Sequence, residues 1–89
     1  GQRSRLAIIY DILTVIWEEG GAGPTRIMYR ANLSYDRLRR YLALLMEKGM
    51  VVEHRDDEHV TYKLTRKGLK ALEEMRRIKS MLEALGLSF

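Results

Sequence analysis

Cysteine is absent from this 89-residue chain. That excludes a disulfide framework, a cysteine nucleophile and thiolate metal ligands, and it suits a reducing compartment. Long apolar runs are missing as well, because charges or glycines interrupt each one before it reaches membrane-spanning length. No membrane partner is expected. The opening Gly1-Gln2-Arg3-Ser4-Arg5 has no secretory pattern, and a glycine in the place of methionine reads as a tag remnant or a trimmed N terminus. Internal repeats and low-complexity tracts are lacking. So is any Ser, His and Asp spacing that points to a triad, or a convergent set of nucleophile, base and orienting group. An enzyme is not expected, and neither is a cofactor or a small-molecule substrate.

What the chain does contain is 46% hydrophobic and 31% charged residues, the balance of a folded domain. Its length suffices for one hydrophobic core and leaves much surface open, so burial against a second copy is a natural further source of stability. The net charge is +4, and its distribution says more than its size. Residues 26–48 hold Arg26, Arg30, Arg37, Arg39, Arg40 and Lys48 against only Asp36 and Glu47, which matches the whole excess. The remainder balances.

Residues 4–19 carry apolar side chains at helical spacing, Leu6, Ile9, Leu13, Ile16 and Trp17, with a second line at Ile8, Ile12 and Val15. More than half of that helix is hydrophobic, so it is either sandwiched in the core or covered by a partner. Gly20-Gly21-Ala22-Gly23-Pro24 stops it; lacking a lysine and a hydroxyl, this run reads as a linker rather than a phosphate loop. A short helix is predicted over 25–31, with Thr25 as cap or Pro24 at its first position, and Ile27, Met28 and Ala31 inward. Asn32 supplies a tight turn, Leu33 plugs the core, and Ser34 caps a third helix that runs to Lys48 before Gly49. Strands follow at 51–55 and 60–64, joined by the polar turn Asp56-Asp57-Glu58-His59. Thr65 caps a last helix with no breaker until Gly86, and Gly68 in its first turn permits close backbone packing. Ala71, Met75, Ile78, Leu82 and Leu85, then Phe89, recur at alternating spacings of four and three, a heptad seam for dimerisation. Leu69 and Leu72 lie off that seam and tie the helix to the globular part. About two heptads are short for an independent coiled coil, so help is expected from an exposed Ile8, Ile12 and Val15 line.

Helix, helix, turn, helix, hairpin and long helix make a mainly α fold with a small β-hairpin. It is a winged helix-turn-helix over residues 1–64, followed by a coiled-coil dimerisation helix over 65–89. On the third helix Leu38, Leu42 and Leu45 mark the buried line, with Asp36, Arg40, Ala43 and Glu47 opposite and Arg37 and Arg39 on the shoulders. Arginines beside a small alanine suit a major groove, where guanidinium forks reach guanine edges or phosphates. Ser34 at the capped N terminus and Tyr35 are further contact candidates, and Arg26 and Arg30 are expected to touch the DNA backbone. In the wing, the basic strand residues Arg55 and Lys63 are expected to contact the DNA backbone, whereas the acidic Asp56-Asp57-Glu58 tip is expected to stay out of the minor groove. Trp17, Tyr10, Tyr29 and Tyr41 are expected to pack, and the methionines to fill the core. His54 and His59 flank the turn and are read as exposed strand residues rather than metal ligands.

The run Thr25-Arg26-Ile27-Met28-Tyr29-Arg30-Ala31-Asn32-Leu33-Ser34-Tyr35, continued by Leu38, Tyr41-Leu42, Leu45 and Glu47-Lys48-Gly49, resembles the archaeal winged-helix proteins of the 10a DNA-binding type. Tyr62-Lys63-Leu64-Thr65-Arg66-Lys67-Gly68 resembles the strand-to-helix junction of many winged-helix regulators. The resemblance implies a homodimer joined by an antiparallel coiled coil, with a winged-helix unit at each end. It also implies double-stranded DNA binding in a transcriptional or chromatin-organising role, at a cytoplasmic, nucleoid-associated location. Ser34, Tyr35, Arg37, Arg39 and Arg40 would then belong to the recognition helix. The acidic wing tip departs from the common basic wing. It leaves a protein-interaction adaptor without significant DNA binding as the alternative.

Overall fold

Side-chain caps set the helix starts. Ser4 Oγ accepts from the Ala7 N–H at 3.0 Å and opens α1, Arg5–Glu19. Ser34 Oγ accepts from the Arg37 N–H at 3.3 Å and opens α3, Tyr35–Glu47. Thr65 Oγ1 accepts from the Gly68 N–H at 3.0 Å and opens α4, Arg66–Ala84. The exception is α2, Pro24–Ala31. Its cap is Gly23 without any side-chain bond, and Pro24 takes the first turn, so Thr25 is not the cap. The computed structural model describes residues 3–89; the expectation for Gly1 lies outside them.

The helix-turn-helix angle is made by Asn32, whose left-handed φ of 54° ends α2, and by the Leu33 N–H donating to the Met28 carbonyl at 3.0 Å. Leu33 then plugs the core. Strands β1, Val51–Asp56, and β2, His59–Leu64, form an antiparallel hairpin, each one residue longer than expected. Its tip turns on Asp57 at φ 55°. The glycine-rich loop does more than link. Ala22 is buried and exchanges two backbone hydrogen bonds with Tyr62, at 3.0 and 2.8 Å, which anchors the loop to β2.

Helix α1 is the centre of the core, packed against α2, β2 and α4. Here one expectation is corrected. Ile8, Ile12 and Val15 are 1%, 0% and 4% exposed and cannot reach a partner, because α2 and the rest of the core cover them. The residues that do emerge are Leu6 and Trp17; Trp17 is 45% exposed, with the Arg76 guanidinium 4.5 Å over its ring. Tyr29, expected to pack, is instead 77% exposed, since α2 turns Ile27 and Ala31 inward and leaves Tyr29 on the far side. Tyr10 and Tyr41 are half-buried against the core.

The start of α4 belongs to that core. Gly68 and Leu72 are buried, and a Cβ on Gly68 would collide with the Met50 carbonyl oxygen. Of the expected pair, Leu72 is the fully buried anchor, while Leu69 is 37% exposed at the edge, beside Trp17 and Gly21. The other end stops at Gly86, as expected. Leu85 is the C-cap, Gly86 takes φ 77°, and the Leu87 N–H returns to the Leu82 carbonyl at 2.8 Å. Phe89 therefore leaves the helix and sets its ring edge-on against Tyr10, with centroids 5.7 Å apart.

Candidate nucleic-acid interface

Taking about 100° per residue, the burial of Leu38, Leu42 and Leu45 fixes which way α3 faces. Arg37, Arg39 and Arg40 all point to solvent, and none forms an ion pair among the described residues. The outer face has two shoulders. On one, Tyr35, Arg39 and Ala43 look across a groove at Glu53, Arg55, Val60 and Tyr62 of the hairpin. On the other, Arg37, Arg40, Tyr41 and Leu44 share a concavity with Arg5 of α1.

The hairpin register divides the two wing cations. Glu53 pairs with Tyr62 and Arg55 with Val60, so these four share the face turned to α3. Lys63 stands opposite Val52 on the other face and lies beside Trp17, Gly21 and Leu69. Strand alternation thus removes Lys63 from the α3 groove. Arg55 remains in it but is held at 3.0 Å by Glu53, which also accepts the Tyr62 hydroxyl at 3.0 Å. Burial, and then that bond to a carboxylate, push the Tyr62 hydroxyl up to about 12. The tip residues Asp56, Asp57 and Glu58 are open to solvent. His54 and His59 lie on the outer face, and among the described residues no three His, Asp or Glu side chains converge.

The α2 arginines have internal partners. Arg30 reaches Glu18 at 2.6 Å and Glu19 at 3.0 Å, and Arg26 reaches Glu19 at 3.3 Å. Hydrogen bonding to Glu18 first, then Glu19, raises the Arg30 pKa; Arg26, and after it Arg30, hold the Glu19 carboxyl below the usual carboxylate value. Spacing alone does not reveal this clamp, because Glu18 and Glu19 sit on another helix. Two contributors escape a reading of the sequence: Arg5 and Glu53. Only the position of Arg5 at the start of α1 hints at a role, and its neighbour on α3 is a tertiary fact.

The chain belongs to the winged helix-turn-helix family. The family's profile matches residues 2–83. This winged helix-turn-helix is similar over most of its length to Sso10a-2, described as a DNA-binding protein from Sulfolobus solfataricus, with 26% identity and a TM-score of 0.84. That match covers 93% of this chain and 85% of the other, and it bears out the resemblance to the archaeal 10a type. An uncharacterised protein of Methanocaldococcus jannaschii is 33% identical over 60 residues, 67% of this chain. The winged helix-turn-helix spans 61% of that relative's length. A MarR variant from E. coli, complexed with operator DNA, shares the fold at a TM-score of 0.72 and 24% identity, covering 78% of this chain and 51% of the other.

On α4 the seam candidates separate by environment. Ala71 and Met75 are half-buried, Met75 against the core cluster, whereas Ile78 and Leu85 are 44% and 68% exposed and Leu82 is intermediate. Met81, at 58%, and Leu87 extend the open apolar surface. With Leu85 at the cap and Phe89 beyond it, continuous helix carries the heptad only as far as Leu82.

Proposed function

We propose that this protein binds double-stranded DNA through α3, as a non-enzymatic transcriptional regulator or chromatin-organising factor. The observation that carries the proposal is that Arg37, Arg39 and Arg40 stand on the outer face of the third helix without ion partners among the described residues. Cations placed there lie where a major groove would receive them, with phosphates to either side. The likeness to Sso10a-2 and to a regulator seen with operator DNA supports the assignment. Ser34 and Tyr35 complete the helix's leading edge. Arg26 and Arg30 stiffen the motif more than they contact phosphate, and Arg55, engaged by Glu53, is left out of the contact set.

The same proposal includes a homodimer, with residues 65–89 as the dimerisation helix and 1–64 as the DNA-binding unit. An antiparallel pairing of α4 would cover Ile78, Leu82 and Leu85, and it would hold two α3 helices at a fixed separation. The open apolar surface at Ile78, Met81, Leu85 and Leu87 supports it. A cytoplasmic, nucleoid-associated location follows from the DNA partner. An adaptor role is favoured only by the acidic wing tip and the exposed Trp17.

Titration of a random-sequence duplex at low and moderate salt tests the choice. A DNA binder making several phosphate contacts loses orders of magnitude in affinity between about 50 and 200 mM salt. An adaptor shows little binding at either.

A further inference from the structure

Arg5, at the first position of α1, lines the same concavity as Arg37, Arg40, Tyr41 and Leu44 of α3. Its volume is about 300 Å³, and among the described residues no carboxylate lines it. None of the three arginines has an ion partner among those residues, and Asp36, one turn before Arg40, is not paired with it. Arg3 fixes the geometry. It donates to Asp11 at 2.7 Å and to the Asn32 carbonyl at 2.7 Å, which ties the start of α1 to the turn that precedes α3. Three arginines lining one concavity carry like charges that repel one another, and a bound anion relieves that repulsion.

We propose that Arg5, Arg37 and Arg40 form a phosphate-oxyanion site, and that this site, in place of the wing, grips a backbone strand beside the major groove. The planar forks of arginine match phosphate oxygens in pairs. The other shoulder of α3 offers a single unpaired arginine, Arg39, because Arg55 is held by Glu53 and the tip beyond it is acidic. Phosphate at this place has two sources, the DNA backbone or a small phosphate-bearing ligand. The choice of DNA rests on the function proposed above.

The test uses the full chain and two probes. With duplex DNA, R5Q lowers the slope of log affinity against log salt by about one, R5K restores it, and R55Q leaves it unchanged. The Arg5 side chain has no hydrogen-bond partner among the described residues, so an unaltered unfolding midpoint checks that R5Q keeps its fold. With inorganic pyrophosphate, the side-chain Nε–H signals of Arg5, Arg37 and Arg40 shift together. If R40Q lowers the slope and R5Q does not, the three-arginine site is wrong while the role of α3 stands. A slope loss in R55Q equal to that in R5Q returns the grip to the wing and overturns the proposal. If the parent shows no salt-dependent duplex affinity but pyrophosphate moves the three signals, the site stands with a free phosphate ester as its occupant, and the DNA function falls. If pyrophosphate moves none of them and R5Q matches the parent, no such site exists.

Discussion

The Arg30 guanidinium donates to Glu18 Oε1 at 2.6 Å, and its other terminal nitrogen meets Glu19 at 3.0 Å. A cation engaged this way is poorly placed to displace counterions from DNA. Arg30→Gln is therefore expected to change the salt dependence of duplex binding less than Arg40→Gln does, while lowering the unfolding midpoint more. Equilibrium binding over a salt series, with thermal unfolding on the same samples, checks both. An equal loss of slope in the two variants shows that the Glu18 and Glu19 pairs open on binding.

Gly68 joins α4 to the turn after α3. Alanine in an exposed helix normally gains about 1 kcal/mol over glycine. Here its methyl would strike the Met50 carbonyl, whose oxygen also accepts the Thr65 N–H at 3.0 Å. Backbone cannot move aside as a side chain does. Gly68→Ala is expected to cost about 2 kcal/mol or more in urea unfolding, in the range of overpacked cores.

The Tyr62 hydroxyl makes an alkaline prediction. Its pKa stands at about 12 in the folded protein, above the ordinary value of 10.0. Between those values the unfolded chain loses the proton while the folded one keeps it, so stability is fully present below pH 10 and falls as pH rises towards 12. The loss over that window is about 2 kcal/mol. Tyr62→Phe has no such group and should show a flatter stability profile there.

These cases mark where the sequence was legible. The first helix is readable from its apolar spacing, α3 and α4 because Ser34 and Thr65 cap their own chain neighbours, and the hairpin because its apolar alternation is local. Gly68 could be identified as a close-approach residue from its place in a first turn, though not which backbone it meets. The misjudged features are all tertiary. Ile8, Ile12 and Val15 do not differ in apolar character from Leu6 on the same helix, and only the placement of α2 and the rest of the core decides which of them is covered. Arg30 meets carboxylates 11 and 12 residues away, and Lys63 loses the α3 groove through one step of register. Phe89 continues a spacing that the helix itself abandons before Gly86.

The dimer depends on the open stripe of α4. Ile78→Glu combined with Leu82→Glu should give a monomer in sedimentation at concentrations where the parent is dimeric. Helical content should be retained, because the fully buried anchor of this helix is Leu72. An unchanged mass removes the seam.

The slope of duplex affinity against salt tests the role of the free guanidinium groups of α3 most directly. The double variant Arg37→Gln with Arg40→Gln should bind with a slope lower than the parent's by about two, one per lost phosphate contact. Lines for parent and variant that coincide at every salt concentration would contradict the account.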